Sequence, residues 1–285
     1  MNAALEPLEV AQGITLLSLR TPTLPPAEHT NAYLVGTREL VLVEPASPYP
    51  DEIARATAWV ETRLAAGATL RAILLTHHHP DHVGGAAAAR ARFGVPIWAH
   101  ARTAERLTDK LSIDRLIDAH DRIELDGPTP MVLEPMHTPG HAHGHLCFFE
   151  PASRALIAGD MIASVGTIIV EPRDGDMQQY LASLAAMRAR EASSLLPAHG
   201  LPITDPATRL DFYVQHRLAR EARVRAALGT FARPASLEEL VPLAYADTPP
   251  VVWPLARLSL EAHLIKLVRE ARAVERDRRW LAIAA

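Results

Sequence analysis

Short apolar runs broken by polar turns dominate the chain as far as about residue 200. Residues 10–20 and 31–43 have the pattern of strands, the second stretch carrying Asn31-Ala32-Tyr33-Leu34-Val35 and then Glu39 to Val43. Between them Thr21 to His29 holds Pro22, Pro25 and Pro26, which suits a loop. Asp51 to Ala66 has the spacing of an amphipathic helix closed by Gly67. The run Ala72-Ile73-Leu74-Leu75 is short enough to be one buried strand, and Ala86 to Arg90 opens a helix. Further strands are expected over 96–99, 121–125, 131–137, 146–149 and 155–158, then a helix over 176–190 and a strand over 194–196.

After Asp205 the pattern changes. Asp205-Pro206 starts a helix, with proline at its first position, that runs to about Leu228 and is dense in arginine. Ser236-Leu237-Glu238-Glu239 is a capping-box start to another. Pro249-Pro250 breaks the chain before a long helical run from Leu255 to Ala271, and residues 273–283 fit a two-stranded wing. Residues 1–205 are therefore expected to form one domain, and 206–285 a linking helix with a small winged-helix-like domain.

The most unusual stretch lies between the strand at 72–75 and the helix at 86–90. Thr76-His77-His78-His79-Pro80-Asp81-His82-Val83-Gly84-Gly85 puts four histidines and a carboxylate into six positions. A loop at the carboxyl end of a strand is where α/β folds usually place ligand chemistry. Imidazole with carboxylate suits zinc and similar divalent ions. His77 and His79, two apart on an extended loop, can project to one side, and Asp81 with His82 can face a second ion. A solvated His-rich loop or a tag is the plain alternative, but later segments supply further donor residues.

His77-x-His79-x-Asp81-His82 resembles the H-x-H-x-D-H signature of the metallo-β-lactamase superfamily. Thr138-Pro139-Gly140-His141, Ala158-Gly159-Asp160 and Pro197-Ala198-His199-Gly200 follow in that superfamily's order. The resemblance covers most of residues 10–205. It implies an α/β fold, the αββα sandwich, in which His77, His79 and His141 hold one ion. Asp81, His82 and His199 would hold a second, with Asp160 bridging, and Asp81 and Asp160 would be the catalytic carboxylates. Two divalent ions sharing a hydroxide provide a nucleophile at neutral pH. Zn2+ is the expected metal, with Mn or Fe as alternatives. Glu44-Pro45-Ala46-Ser47 stands where the family usually carries Asp-x-Gly, so Glu44 is the candidate replacement for that aspartate. His78, between ligands, is expected to point away from them. His145 lies in Gly144-His145-Leu146-Cys147-Phe148-Phe149, which resembles a glyoxalase II strand, and is expected to support the site. His29, His100, His120, His137 and His263 read as ordinary.

Composition narrows the picture only a little. The chain has 285 residues, is 48% hydrophobic and carries a net charge of −4. After residue 205 there are 13 Lys+Arg against 9 Asp+Glu, leaving that segment at +4 and the remainder at −8. Cys147 is the single cysteine, so no internal disulfide forms, which fits a reducing compartment. No signal peptide or membrane span is evident, and a cytoplasmic location is expected.

His216-Arg217-x-x-Arg220-Glu221, with the winged tail, is similar to the lactamase-β-like protein 2 group. That resemblance implies an endoribonuclease acting on single-stranded RNA. A thioesterase of the hydroxyacylglutathione hydrolase type, or another small-ester hydrolase, is the alternative. A nucleic-acid-binding regulator with a relic metal site is a third reading, which the complete donor set disfavours. Arg276, Arg278 and Arg279 are the candidate phosphate contacts. Every candidate ligand precedes Leu228, so a chain ending there is expected to keep its metals.

Overall fold

The structure is a computed structural model that describes residues 6–283. They form two compact units. The first takes in the described chain up to Thr138, then Gly144–Gly166 and Arg190–Pro206. The second takes in Pro139–His143, Thr167–Ala189 and the chain from Ala207 onward.

A seven-stranded sheet in the first unit keeps chain order: β1 (Leu8–Ala11), β2 (Ile14–Arg20), β3 (His29–Gly36), β4 (Glu39–Val43), β5 (Thr69–Leu74), β6 (Ile97–Ala99) and β7 (Arg115–Leu116). The first four strands pair antiparallel; β4 through β7 pair parallel. Parallel neighbours need crossovers, and helices supply them. These are α1 (Pro50–Ala65), the single turn α2 (Pro80–Val83), α3 (Ala86–Phe93) and α4 (Ala101–Leu107). A second sheet contains β8 (Ile123–Leu125), β9 (Met131–His137), β10 (Leu146–Glu150), β11 (Ala155–Gly159) and β12 (Ser194–Pro197), in the order β12-β11-β10-β9-β8.

Strand alternation sorts the core. Ile14, Leu16, Tyr33, Val35, Val41 and Val43 join Leu133, Leu146, Phe148 and Ile157 of the second sheet in one buried cluster. Their neighbours Leu17, Leu19, Leu34 and Leu42 turn to the other face and meet Trp59, Val60 and Ala89 of the helices. The strand expected over 10–20 is in fact two, joined at Gly13. That glycine has φ +71°, and a Cβ on it would sit 2.5 Å from the Met131 sulfur. The helix α4 and the two-residue strand β7 were not legible in the pattern.

The second unit holds α5 (Met177–Ala189), α6 (Pro206–Gly229), α7 (Leu237–Ala244) and α8 (Trp253–Arg269), then the hairpin β13 (Ala273–Arg276) and β14 (Arg279–Ala282). The capping box at Ser236 forms in full. The hairpin turns through Asp277 and Arg278, both with positive φ (50° and 57°), as a two-residue turn requires. Leu240, Leu264, Leu267 and Trp280 are buried together with Val224 and Leu228 of α6. Burial of each such side chain contributes roughly 1.5–3 kcal/mol. Among the described residues no helix is long and apolar enough to cross a membrane.

Candidate metal centre

The donor cluster grows from the carboxyl ends of β4, β5 and β11 and from the loop after β12. β5 delivers Thr76 and His77, both fully buried. Pro80 then starts the one-turn α2, which places Asp81 and His82 on its inner side. Gly84 and Gly85 are required here, because a Cβ on either would lie 2.7 Å from a backbone oxygen of the 45–46 segment. β11 ends at Gly159 and Asp160, and β12 runs into His199.

The first unit brings six of the seven expected donors together. His77 Nε2 and His79 Nδ1 face each other at 2.9 Å. The His77 and His82 ring centres are 4.1 Å apart. His82 Nε2 lies 3.7 Å from Asp81 and 3.6 Å from Asp160. His199 Nε2 lies 3.2 Å from Asp160 and 3.6 Å from Asp81. Asp81, His82 and His199 can hold an ion, with donor atoms all within 4.8 Å of one another. His141, the seventh, lies in the second unit, buried on the Pro139–His143 segment, and its Nδ1–H donates to the Ile169 carbonyl at 2.9 Å.

One buried carboxylate orients two of these rings. The Glu44 carboxylate accepts from the Thr76 hydroxyl and, at 2.9 Å, from His82 Nδ1–H. With its own proton engaged, Thr76 accepts from His77 Nδ1–H at 2.9 Å. The Nε2 lone pairs of His77 and His82 are thereby left for a metal, as outer partners of zinc-bound imidazoles commonly arrange. Glu44 takes a positive φ of 56°, a conformation that a non-glycine residue rarely adopts. Its side chain thus fills the place of the expected aspartate. His199 Nδ1–H donates to the His29 carbonyl at 2.9 Å. Asn31 donates to Pro197 and Gly200, and Tyr33 donates to Pro197, which pins the loop on both sides of His199. His145 is fully buried; its Nε2 accepts from the Asp160 N–H at 3.0 Å, and its Nδ1–H donates to Thr138.

Electrostatics favour a cation at this place. Burial alone would keep His82 neutral, yet Glu44 and Asp160 overcome it and hold the imidazole well above its ordinary range. His199 is raised in the same way, chiefly against burial, by Asp160. Burial works against the Asp160 charge, but His199 and His82 hold that carboxyl well below the usual range. His82 Nε2 is buried without a hydrogen-bond partner and faces two carboxylates, so a divalent cation fits the donor set better than protons do.

Several supports escaped the sequence reading. Asn31 and Tyr33 act over long separations, and only the Asn-x-Tyr pattern on β3 hinted at them, whereas Glu44 is the expected replacement for the family's aspartate. His29 contributes through its carbonyl. His100 and His137, expected to be isolated, stack on each other at 4.2 Å. His263 is fully buried beside Glu221, 3.7 Å away. His78 is half-buried next to His79.

Two sheets with helical crossovers, a His/Asp cluster at their strand ends and a capped winged tail define a metal-dependent hydrolase. Residues 25–199 match the Metallo-beta-lactamase superfamily, and the chain belongs to it. Residues 236–280 match the Beta-lactamase associated winged helix domain. The chain is 27% identical over 271 residues to the Beta-lactamase-like protein 2 homolog of Caenorhabditis elegans, covering 93% of this chain and 88% of that one. It is 32% identical over 237 residues to the Atrochrysone carboxyl ACP thioesterase of Aspergillus chevalieri, covering 80% and 70%. Among solved structures, a beta-lactamase domain protein from Burkholderia ambifaria superposes with a TM-score of 0.81 at 20% identity, over 99% of this chain and 95% of that one.

Proposed function

We propose that this hydrolase cleaves thioesters whose acyl group is apolar. The observation that carries the reading is an apolar rim on the loops that bear or brace Asp160 and His199. Val165 follows Asp160, Leu201 follows His199, and Leu24 lies on the proline loop before His29; they are 68%, 74% and 53% exposed. The loops converge: the Leu201 N–H donates to Ser164 Oγ at 2.8 Å, and a Cβ on Gly166 would come within 4.0 Å of Pro26. Apolar side chains held in water beside a polar donor cluster suit an apolar substrate group. One relative is, by its name, a thioesterase.

Motif order assigns His77, His79 and His141 to one divalent ion, and Asp81, His82 and His199 to a second, with Asp160 shared. Zn2+ is the proposed metal, with Mn or Fe as alternatives. Bound there, the pair would supply an activated water at neutral pH and positive charge for the oxygen that develops in the transition state. The chain's own groups do the rest. Asp160, held ionised, stays a fixed negative charge. Asp81, partly open to solvent and facing both Nε2 atoms, is placed to orient the attacking water and receive its proton. Attack forms the new C–O bond and breaks C–S, and a thiolate leaves without needing a strong acid, because thiols ionise near pH ~8.5.

Single-stranded RNA, which headed the sequence reading, finds less support. Two of the three candidate phosphate contacts have carboxylate partners, Arg278 meeting Glu261 and Arg279 meeting Glu239, as do Arg233 with Glu239 and Arg220 and Arg223 with Asp247. The deciding experiment is turnover by metal-replete protein on S-acyl thioesters of increasing chain length, beside a single-stranded RNA and a small phosphodiester. A kcat/KM that climbs with acyl length is expected. Rapid RNA cleavage with slow, length-independent thioester turnover would overturn the reading in favour of the ribonuclease.

A further inference from the structure

We infer that Arg217 and Arg269 are positioning residues for His141, so that the winged tail helps to hold a metal ligand. The inference rests on the assignment of His141 as a ligand. Within the second unit, the His141 ring is fixed by the Ile169 carbonyl at 2.9 Å. The Arg217 guanidinium, only 3% exposed, donates to the adjacent carbonyl, Ile168. It lies over the Tyr180 ring, 5.2 Å from its centre. α6 thus fixes the segment that in turn fixes the ring. A buried arginine spent on one backbone carbonyl is costly unless that carbonyl must stay in place.

The segment that bears His141 is held from a second direction. The Pro139 carbonyl accepts from Ser183 Oγ at 2.7 Å, and the Gly140 carbonyl accepts from the Asp176 N–H at 2.8 Å. Gly140 has φ +140°, and a Cβ there would sit 2.3 Å from the Tyr180 backbone, so the loop lies directly on the first turn of α5. Asp176 caps that turn by accepting from the Gln179 N–H at 2.9 Å. The same carboxylate is gripped by Arg269 at the end of α8. Burial opposes the Asp176 charge, and Arg269 with the backbone donors nevertheless holds the carboxyl below its usual range. Two arginines on two helices therefore brace one histidine, Arg217 through the Ile168-Ile169 segment and Arg269 through Asp176 and Gly140. A chain ending near Leu228 keeps Arg217 but loses Arg269, so it should not keep its metals unchanged, contrary to the expectation from ligand positions alone.

The test is metal binding by the full chain, read without any substrate. Zinc content after equilibrium dialysis and a chelator-competition affinity are measured for wild type, R217A, R217K, R269Q, H141A and R217A/H141A. H141A should lose one of two ions. R217A should weaken that same ion by roughly 10–100-fold, the usual cost of an outer partner, and should add nothing to H141A. R217K should recover part of the affinity, and R269Q should weaken the ion by a smaller factor. L240A, which opens the tail's core away from His141, serves as the control for simple destabilisation. If R217A is too unstable to purify, R269Q at its half-exposed position carries the test. Two ions at wild-type affinity in R217A or, failing that, in R269Q would overturn the inference, as would an equal loss in L240A. Two ions in H141A would instead overturn the ligand assignment, which separates the two failures.

Discussion

Each unit of this chain buries histidines together with charged groups, and the surroundings are opposite. In the first unit His77, His82 and His199 sit among Glu44, Asp81 and Asp160, with no lysine or arginine needed to explain the arrangement. The Nε2 atoms of His82 and His199 lie beside carboxylates, and that of His77 faces His79. In the second unit His263 and Glu221 sit beside Lys266, and His216 lies next to Arg217 on α6. Lys266 bonds Glu221 at 2.8 Å and Glu270 at 2.7 Å. There the negative charge already has its cation. Burial opposes the Glu221 charge, but His263, 3.7 Å away, and Lys266 overcome it and bring the carboxyl down to about 2. A buried histidine is thus not informative by type. The sign of the charge around it separates a site that attracts a metal from a cluster that is complete without one.

The largest effect should come from removing the negative charge of the first cluster. Asp160→Ala should lower turnover by more than the roughly 100-fold typical of an outer partner, with metal content falling in parallel by elemental analysis. His78→Ala should do far less. Equal losses from the two changes would mean that the loop is wrongly assigned. In the second cluster, Glu221→Gln leaves Lys266 buried with one carboxylate fewer. Removing one partner of a buried pair typically costs about 3 kcal/mol or more, to be read by denaturant unfolding, while zinc content stays at the wild-type value. Loss of metal from Glu221→Gln would break the proposed contrast. Glu44→Gln is intermediate in kind: the shape remains, but the charge behind His82 and Thr76 goes. An affinity loss of roughly 10–100-fold for the ion at His82 is expected, measured by chelator competition.

What the sequence made legible was local. The His77–His82 loop, the capping box at Ser236 and the wing hairpin depend on neighbours a few positions away, and their patterns could be read directly. The supporting residues are less legible, and Glu44 and His145 are expected only through the family resemblance. Asn31 acts on Pro197, 166 positions along. Glu44 acts on His82, 38 positions along, and it does so from a backbone conformation that no propensity favours. Arg217 was visible in the His216-Arg217-x-x-Arg220-Glu221 pattern, but for such a string by itself a solvated face is the ordinary expectation. Its burial, and the carbonyl it holds, follow from tertiary packing. The arginines of the wing show the converse. Their count gave a positive tail, but each charge must be weighed with the carboxylate that the fold sets beside it, as Glu261 and Glu239 are set beside Arg278 and Arg279.

The smallest expected effect sharpens the contrast through pH. Burial, then Arg217 and Arg220, push the half-buried His216 imidazole down to about 4. In the unfolded chain it would titrate near ~6.5. The folded value lies below the unfolded one, so between those two pH values the unfolded chain binds more protons. Stability must therefore fall as pH drops through about 6.5 and stop falling, on this account, near 4. One group can contribute at most ~1.4 kcal/mol per pH unit, and solvent around a half-exposed ring reduces that. Glu221 acts in a separate window: its folded value is depressed, so its contribution is lost as pH falls from about 4.5 toward 2. Urea unfolding of wild type and His216→Gln at pH 7, 6, 5 and 4 isolates the histidine. The wild type should lose stability relative to the variant over that range, and the difference should be flat below it. A difference that is constant from pH 7 to pH 4 would show that the cations beside His216 do not govern its charge, and the contrast between the two clusters would then rest on Glu221 and Lys266 alone.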